Sequence, residues 1–112
     1  MTDLDLRITE AARTRITQFL GTKGPGSVLA LMYGGSETYA PNGTLKKKVP
    51  DHWQFVAYSQ TQAENLARDY AARGMPFFHV VGGITVCIPQ TQFIEHLKGR
   101  TLDIEAGVVR IA

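Results

Sequence analysis

The chain has 112 residues, enough for one hydrophobic core but not for two. Hydrophobic residues make up 44% and charged residues 20%, as in ordinary globular proteins, and the net charge of +2 gives no electrostatic footprint for nucleic acid. The single cysteine, Cys87, rules out an intramolecular disulfide and a cysteine-rich metal knuckle.

The opening MTDLDLRITE is polar and carries acids where a secretory signal would be basic. No apolar run approaches the ~18 residues a membrane helix needs, so a cytoplasmic protein with no membrane partner is expected. Ile8-Thr9-Glu10 opens a first helix, with Thr9 as N-cap and Glu10 near the positive end of the helix dipole. Ala12, Ile16, Phe19 and Leu20 form its apolar stripe, and Gly21 is the stop. Arg13, Thr14, Arg15 and Thr17 read as a solvated basic face.

Lys23-Gly24-Pro25-Gly26 is a loop. Val28 to Tyr33 follows as a strand, apolar on both faces and therefore central. It is expected to stop at Gly34-Gly35, where the chain turns or comes close to another backbone. Pro41-Asn42-Gly43 is a turn, and Lys46-Lys47-Lys48 fits the lysine guard of an exposed edge strand. Trp53 to Tyr58 alternates as an aromatic-rich strand. SQTQ at Ser59 is a capping box for a second helix, whose stripe is Ala63, Leu66, Ala67, Tyr70 and Ala71 and whose end is Gly74. FFHVV and ITVCI flank Gly82-Gly83 as a hairpin. TQFIEHLKG predicts a short helix ended by Gly99, and TLDIEAGVVRI two short strands. The whole reads as one α+β domain over residues 1–112, with a mainly antiparallel sheet and the helices against one face.

Two segments carry a family resemblance. DLRITEAARTRITQFL with LALMYGGS, and GGITVCI with FIEHLKGRTLDI, resemble HesB-like domains, the A-type iron–sulfur carrier proteins: a helix opening I-T-x-x-A, an apolar strand, a Gly-Cys-Ser turn, and a late segment ending L-x-G-x-x-L-D. The matched pieces cover about half of the chain. The resemblance implies a HesB-like fold with two helices and a short C-terminal helix. It also implies three cysteine ligands, and this chain has none of them: Gly35 stands at the first position, and the chain ends GVVRIA where the family has Cys-Gly-Cys. Glycine supplies neither the charge nor the soft donor of a thiolate.

Little else promises chemistry. Cys87 alternates with Ile84, Val86 and Ile88 and reads as a sheet-face residue; its functional use would be as a ligand shared across a homodimer. Hairpin parity sets His79 opposite Val86 and Cys87 opposite Phe78, on the other face, so the two do not pair; His79 is expected partly buried and hydrogen-bonded. His52 and His96 are too scattered to make a zinc site. Asp103 and Glu105 share a strand face, an isolated acidic pair, and no hydrolase, phosphate-loop or dinucleotide motif is present. Tyr33, Tyr39, Trp53, Phe55 and Tyr58 are the aromatic set, and Tyr33, Gly34, Gly35, Tyr39 and Trp53 are the candidate ligand or interface surface. The expectation is a non-enzymatic scaffold without metal or cofactor, binding a protein partner or small ligand; the alternative is an iron–sulfur cluster carrier built on Cys87 across a dimer.

Overall fold

The computed structural model describes residues 2–112. Two short strands, β1 (Thr2–Asp3) and β2 (Leu6–Ile8), precede α1 (Glu10–Gly21). Then come β3 (Val28–Tyr39), β4 (Leu45–Tyr58), α2 (Gln60–Ala72), β5 (Phe78–Val81) and β6 (Ile84–Cys87). A 3-10 turn (Thr91–Phe93) leads into α3 (Ile94–Leu97), and β7 (Arg100–Glu105) and β8 (Val108–Ile111) finish the chain. The fold is α+β, with a five-stranded sheet in the order β1-β5-β6-β3-β4 and a three-stranded sheet in the order β2-β7-β8.

Antiparallel pairing belongs to the three hairpins, β3–β4, β5–β6 and β7–β8. The seams between them, β3–β6, β1–β5 and β2–β7, are parallel, so both sheets are mixed. Local turn chemistry predicts hairpins; a parallel seam joins strands separated by a long crossover and leaves no local signature. The β5–β6 register follows directly from its turn: Gly82 and Gly83 both take positive φ, 54° and 81°, and set Val81 on Ile84, His79 on Val86 and Phe78 on Cys87.

The caps hold the helices as their residues require. Thr9 Oγ1 accepts from the Ala12 N–H at 3.1 Å and donates to Asp103 Oδ1 at 2.6 Å, so the cap of α1 is also tied to β7. Ser59 and Gln62 form the reciprocal capping box of α2. The helices do not share a face of the sheet. Leu29 and Leu31 of β3 pack with Ala12 and Ile16 of α1 and with Leu102 of the second sheet. Ala30, pointing the other way, packs with Ala63 of α2, Phe77 and Cys87. A strand apolar on both faces needs a cover on each, and one helix goes to each side.

The Gly34-Gly35 pair does not end a strand. β3 runs through it to Tyr39, and the register with β4 shifts between Gly34 and Ser36, a β-bulge. Neither glycine has positive φ. The reason for glycine is space: a Cβ on Gly35 would lie 2.2 Å from the Val49 carbonyl oxygen and 2.8 Å from the Pro50 carbonyl carbon, whereas a Cβ on Gly34 would meet nothing within 4 Å. Beyond the bulge β3 and β4 continue as a two-stranded arm with exposed residues on both faces. Lys46, Lys47, Lys48 and Pro50 lie along β4, an outer strand of the sheet, as expected of a guarded edge.

Gly35→Ala is therefore expected to destabilise the protein by about 1–3 kcal/mol, and Gly34→Ala by less than about 0.5 kcal/mol, read from urea unfolding midpoints. Equal effects of the two changes would contradict the close approach at Gly35.

Candidate functional site

Cys87 sits in the middle of the five-stranded sheet, fully buried among Ala30, Ala63 and Phe77. Burial pushes its thiol up to about 12. In this position α2 covers the thiol, and it is not presented to a second copy of the chain.

His79 differs from expectation. It is 2% exposed, and neither ring nitrogen has a hydrogen-bond partner among the described residues. Its ring shares a face with Val81 and lies across from Val86, both core residues, and burial lowers its pKa below the ordinary 6.5. Asp103 is occupied in the cap of α1, where its Oδ1 also accepts from the Ile104 N–H at 2.8 Å, and Glu105 Oε2 accepts from Arg110 at 2.6 Å. Among the described residues no three His, Cys, Asp or Glu side chains cluster as a metal site.

The aromatic set divides. Tyr33 and Trp53 face each other across β3 and β4, ring centroids 5.1 Å apart, and Phe93 from the 3-10 turn closes a three-ring cluster at 5.3 and 5.7 Å. Gln90 positions Tyr33: its amide nitrogen donates to the Tyr33 carbonyl at 2.8 Å and its Oε1 accepts the Tyr33 N–H at 2.6 Å, extending the β3 seam with a side chain after β6 has ended. Tyr39 stands apart on the arm, 55% exposed, its hydroxyl donating to Glu37. Tyr58 lies on the opposite face, stacked with Phe77. Of the five residues expected to form one surface, Tyr33, Gly34 and Trp53 come together; Gly35 lies at the bulge beside them, and Tyr39 does not join them.

The aromatic face opens beside Trp53 into a groove of about 370 Å³ between α1, β4 and the β7–β8 hairpin. Phe19, Trp53, Phe55, Ile104 and Val109 form its apolar wall, and the Phe19 and Phe55 rings lie 6.2 Å apart. Arg15 and His52 are at its rim, and no carboxylate lines it among the described residues. Arg15 Nη1 donates to the neutral Gln18 Oε1 at 3.3 Å. A second cleft of about 430 Å³, lined by Leu20, Val28, Gln60, Phe78 and Thr85 among others, has no charged side chain in its wall. Sequence reasoning placed Trp53 and Phe55 correctly in an aromatic strand. Phe19 packs against the core and Arg15 is exposed, as the helical pattern predicts; that the two also border a groove has no local signature, because the hairpin that completes it is some 90 residues further along the chain.

No family model, curated protein or solved structure matches the chain. The chemistry at the site must be read from its own residues. A cluster of the kind the sequence resemblance implies does not fit them. The position assigned to the first thiolate is Gly35, where even a Cβ collides with the β4 backbone, and Cys87 is enclosed in the core.

Two outcomes check this placement. At neutral pH a thiol reagent should label Cys87 in the native protein far more slowly than in denaturant, since the thiol is both buried and protonated; equal rates would contradict its burial. The unfolded chain protonates His79 near 6.5 and the native chain only at lower pH, so its contribution is complete above that value and is lost as pH falls through it. Unfolding midpoints at about pH 5 and about pH 7.5 should differ less in His79→Leu than in the parent protein, and an unchanged difference would place the acid sensitivity elsewhere.

Proposed function

We propose that the chain is a HesB-like scaffold that does not ligate a cluster and works as a non-enzymatic binding protein. Its ligand, a small molecule or a partner's segment, is apolar with an anionic group, and it is held in the groove at Phe19, Trp53 and Val109. The observation that carries this reading is the groove itself: an aromatic wall with Arg15 at its rim and no carboxylate lining it among the described residues. Apolar walls supply most of the binding free energy at such sites, and a cation at the rim selects the orientation and charge of what enters.

The family resemblance supports the scaffold half of the proposal through the I-T-x-x-A helix opening and the Leu97-Lys98-Gly99-Arg100-Thr101-Leu102-Asp103 segment. The second reading, a carrier with Cys87 as a shared ligand, requires the sheet to open at Cys87, and no observation favours it. Among the described residues no helix is long and apolar enough to cross a membrane.

Trp53 is the only tryptophan in the chain, so its emission reports on the groove directly. Phenylpropionate is expected to shift or quench it saturably, and phenylpropylamine is not. Arg15→Glu should weaken the carboxylate about tenfold, which corresponds to about 1.4 kcal/mol. Emission unmoved by every apolar carboxylate tried, small molecule or peptide, would overturn the reading.

A further inference from the structure

The groove ends at a sheet edge, and the state of that edge indicates what fits there. β8 is an outer strand of the three-stranded sheet. Thr101 and Ala112 exchange hydrogen bonds in both directions, at 2.8 and 3.0 Å. In an antiparallel ladder such pairs alternate with pairs that do not bond to each other. Counting from Thr101–Ala112, Asp103–Arg110 and Glu105–Val108 are bonded pairs, while Leu102–Ile111 and Ile104–Val109 are not. The N–H and C=O groups of Val109 and Ile111 therefore point away from β7, toward the open edge. The side chains of both residues pack against the core, and Val109 lines the groove.

The molecule does not treat its edges alike. β4 carries three consecutive lysines and a proline, devices that blunt an edge. β1 and β2 are two and three residues long, too short to template a strand. β8 has neither lysine nor proline, and Val108 at its start is 57% exposed. Its one cation, Arg110, is paired with Glu105.

We infer that β8 accepts an added strand: the groove takes an extended peptide segment that hydrogen-bonds to Val109 and Ile111, sets alternate apolar side chains against Phe19, Trp53 and Phe55, and presents a carboxylate to Arg15. The occupant's chemistry follows from three properties of the site. Unpaired main-chain donors and acceptors call for an extended backbone; the apolar wall calls for side chains of that kind at alternate positions; Arg15, whose hydrogen-bond partner is the neutral Gln18, calls for an acid. This inference rests on the groove being the binding site and adds the class of partner.

The test uses the intact protein, Trp53 emission, and the probe acetyl-Leu-Ser-Val-Ser-Asp-amide, in which the acid has the same strand parity as the apolar residues and so faces the groove with them. Two N-methylated versions carry methyls on alternate amides, one set odd and one set even. An added strand bonds through one parity alone, so one version should lose binding tenfold or more and the other should keep it. Val109→Pro removes an outward N–H without removing a β7–β8 bond, and should weaken the parent peptide tenfold or more. If both N-methylated versions bind like the parent, or if phenylpropionate binds and the peptide does not by about 1 mM, strand addition is overturned and the groove reading survives. If neither probe moves Trp53, both are overturned. The N-methyl comparison decides the matter even where Val109→Pro fails to fold.

Discussion

The structure depends on one strand buried from both sides. Leu29, Ala30 and Leu31 of β3 are all at or near zero exposure, although successive side chains point in opposite directions. The two faces are not equivalent. The leucine face receives α1 and the three-stranded sheet, whereas the alanine face is shallow and lets α2 approach through Ala63, with Cys87 and Phe77 filling the remaining space. Close-packed interiors penalise any change of volume, and truncating a buried leucine costs about 2–5 kcal/mol, so this strand fixes where both helices sit. It also decides the character of Cys87. The parallel seam sets Cys87 beside Ala30, which makes the only thiol of the chain a core residue.

The same strand leaves the protection of the sheet at Gly35. As far as Tyr33 it has neighbours on both edges, with Gln90 standing in for a strand at the last position; beyond the bulge it has β4 alone. The bulge brings Val49 and Pro50 so close that no side chain fits, and it separates a covered half from an exposed arm. Trp53 and Phe55 remain on the covered half, on the side where the two sheets pack together. A groove forms there because a hairpin tip, a helix and a strand cannot all fill one corner.

Two polar groups show how the interior and the surface differ in what they tolerate. His79 is enclosed with no partner among the described residues, an arrangement that favours the neutral ring and makes acid its natural stress. Arg15 stands at the groove rim, where solvent meets an aromatic wall.

By itself the sequence determined what is local. The caps at Thr9 and Ser59, the turn at Gly82-Gly83 with its register, the lysine-guarded edge and the opposed faces of His79 and Cys87 follow from neighbours a few residues apart, and the structure agrees with each. The α+β class follows from the same signals. What tertiary structure decided is everything that joins distant segments: the parallel seams, the placing of α1 and α2 on opposite faces, the short strands ahead of α1, and the continuation of β3 through a bulge at Gly35. That glycine illustrates the physical reason. Its own sequence leaves a turn and a close backbone approach equally open; the 2.2 Å approach of a carbonyl from residue 49 decides between them. The groove was hidden likewise, since Arg15, Trp53 and Val109 become neighbours only when two sheets close on one helix.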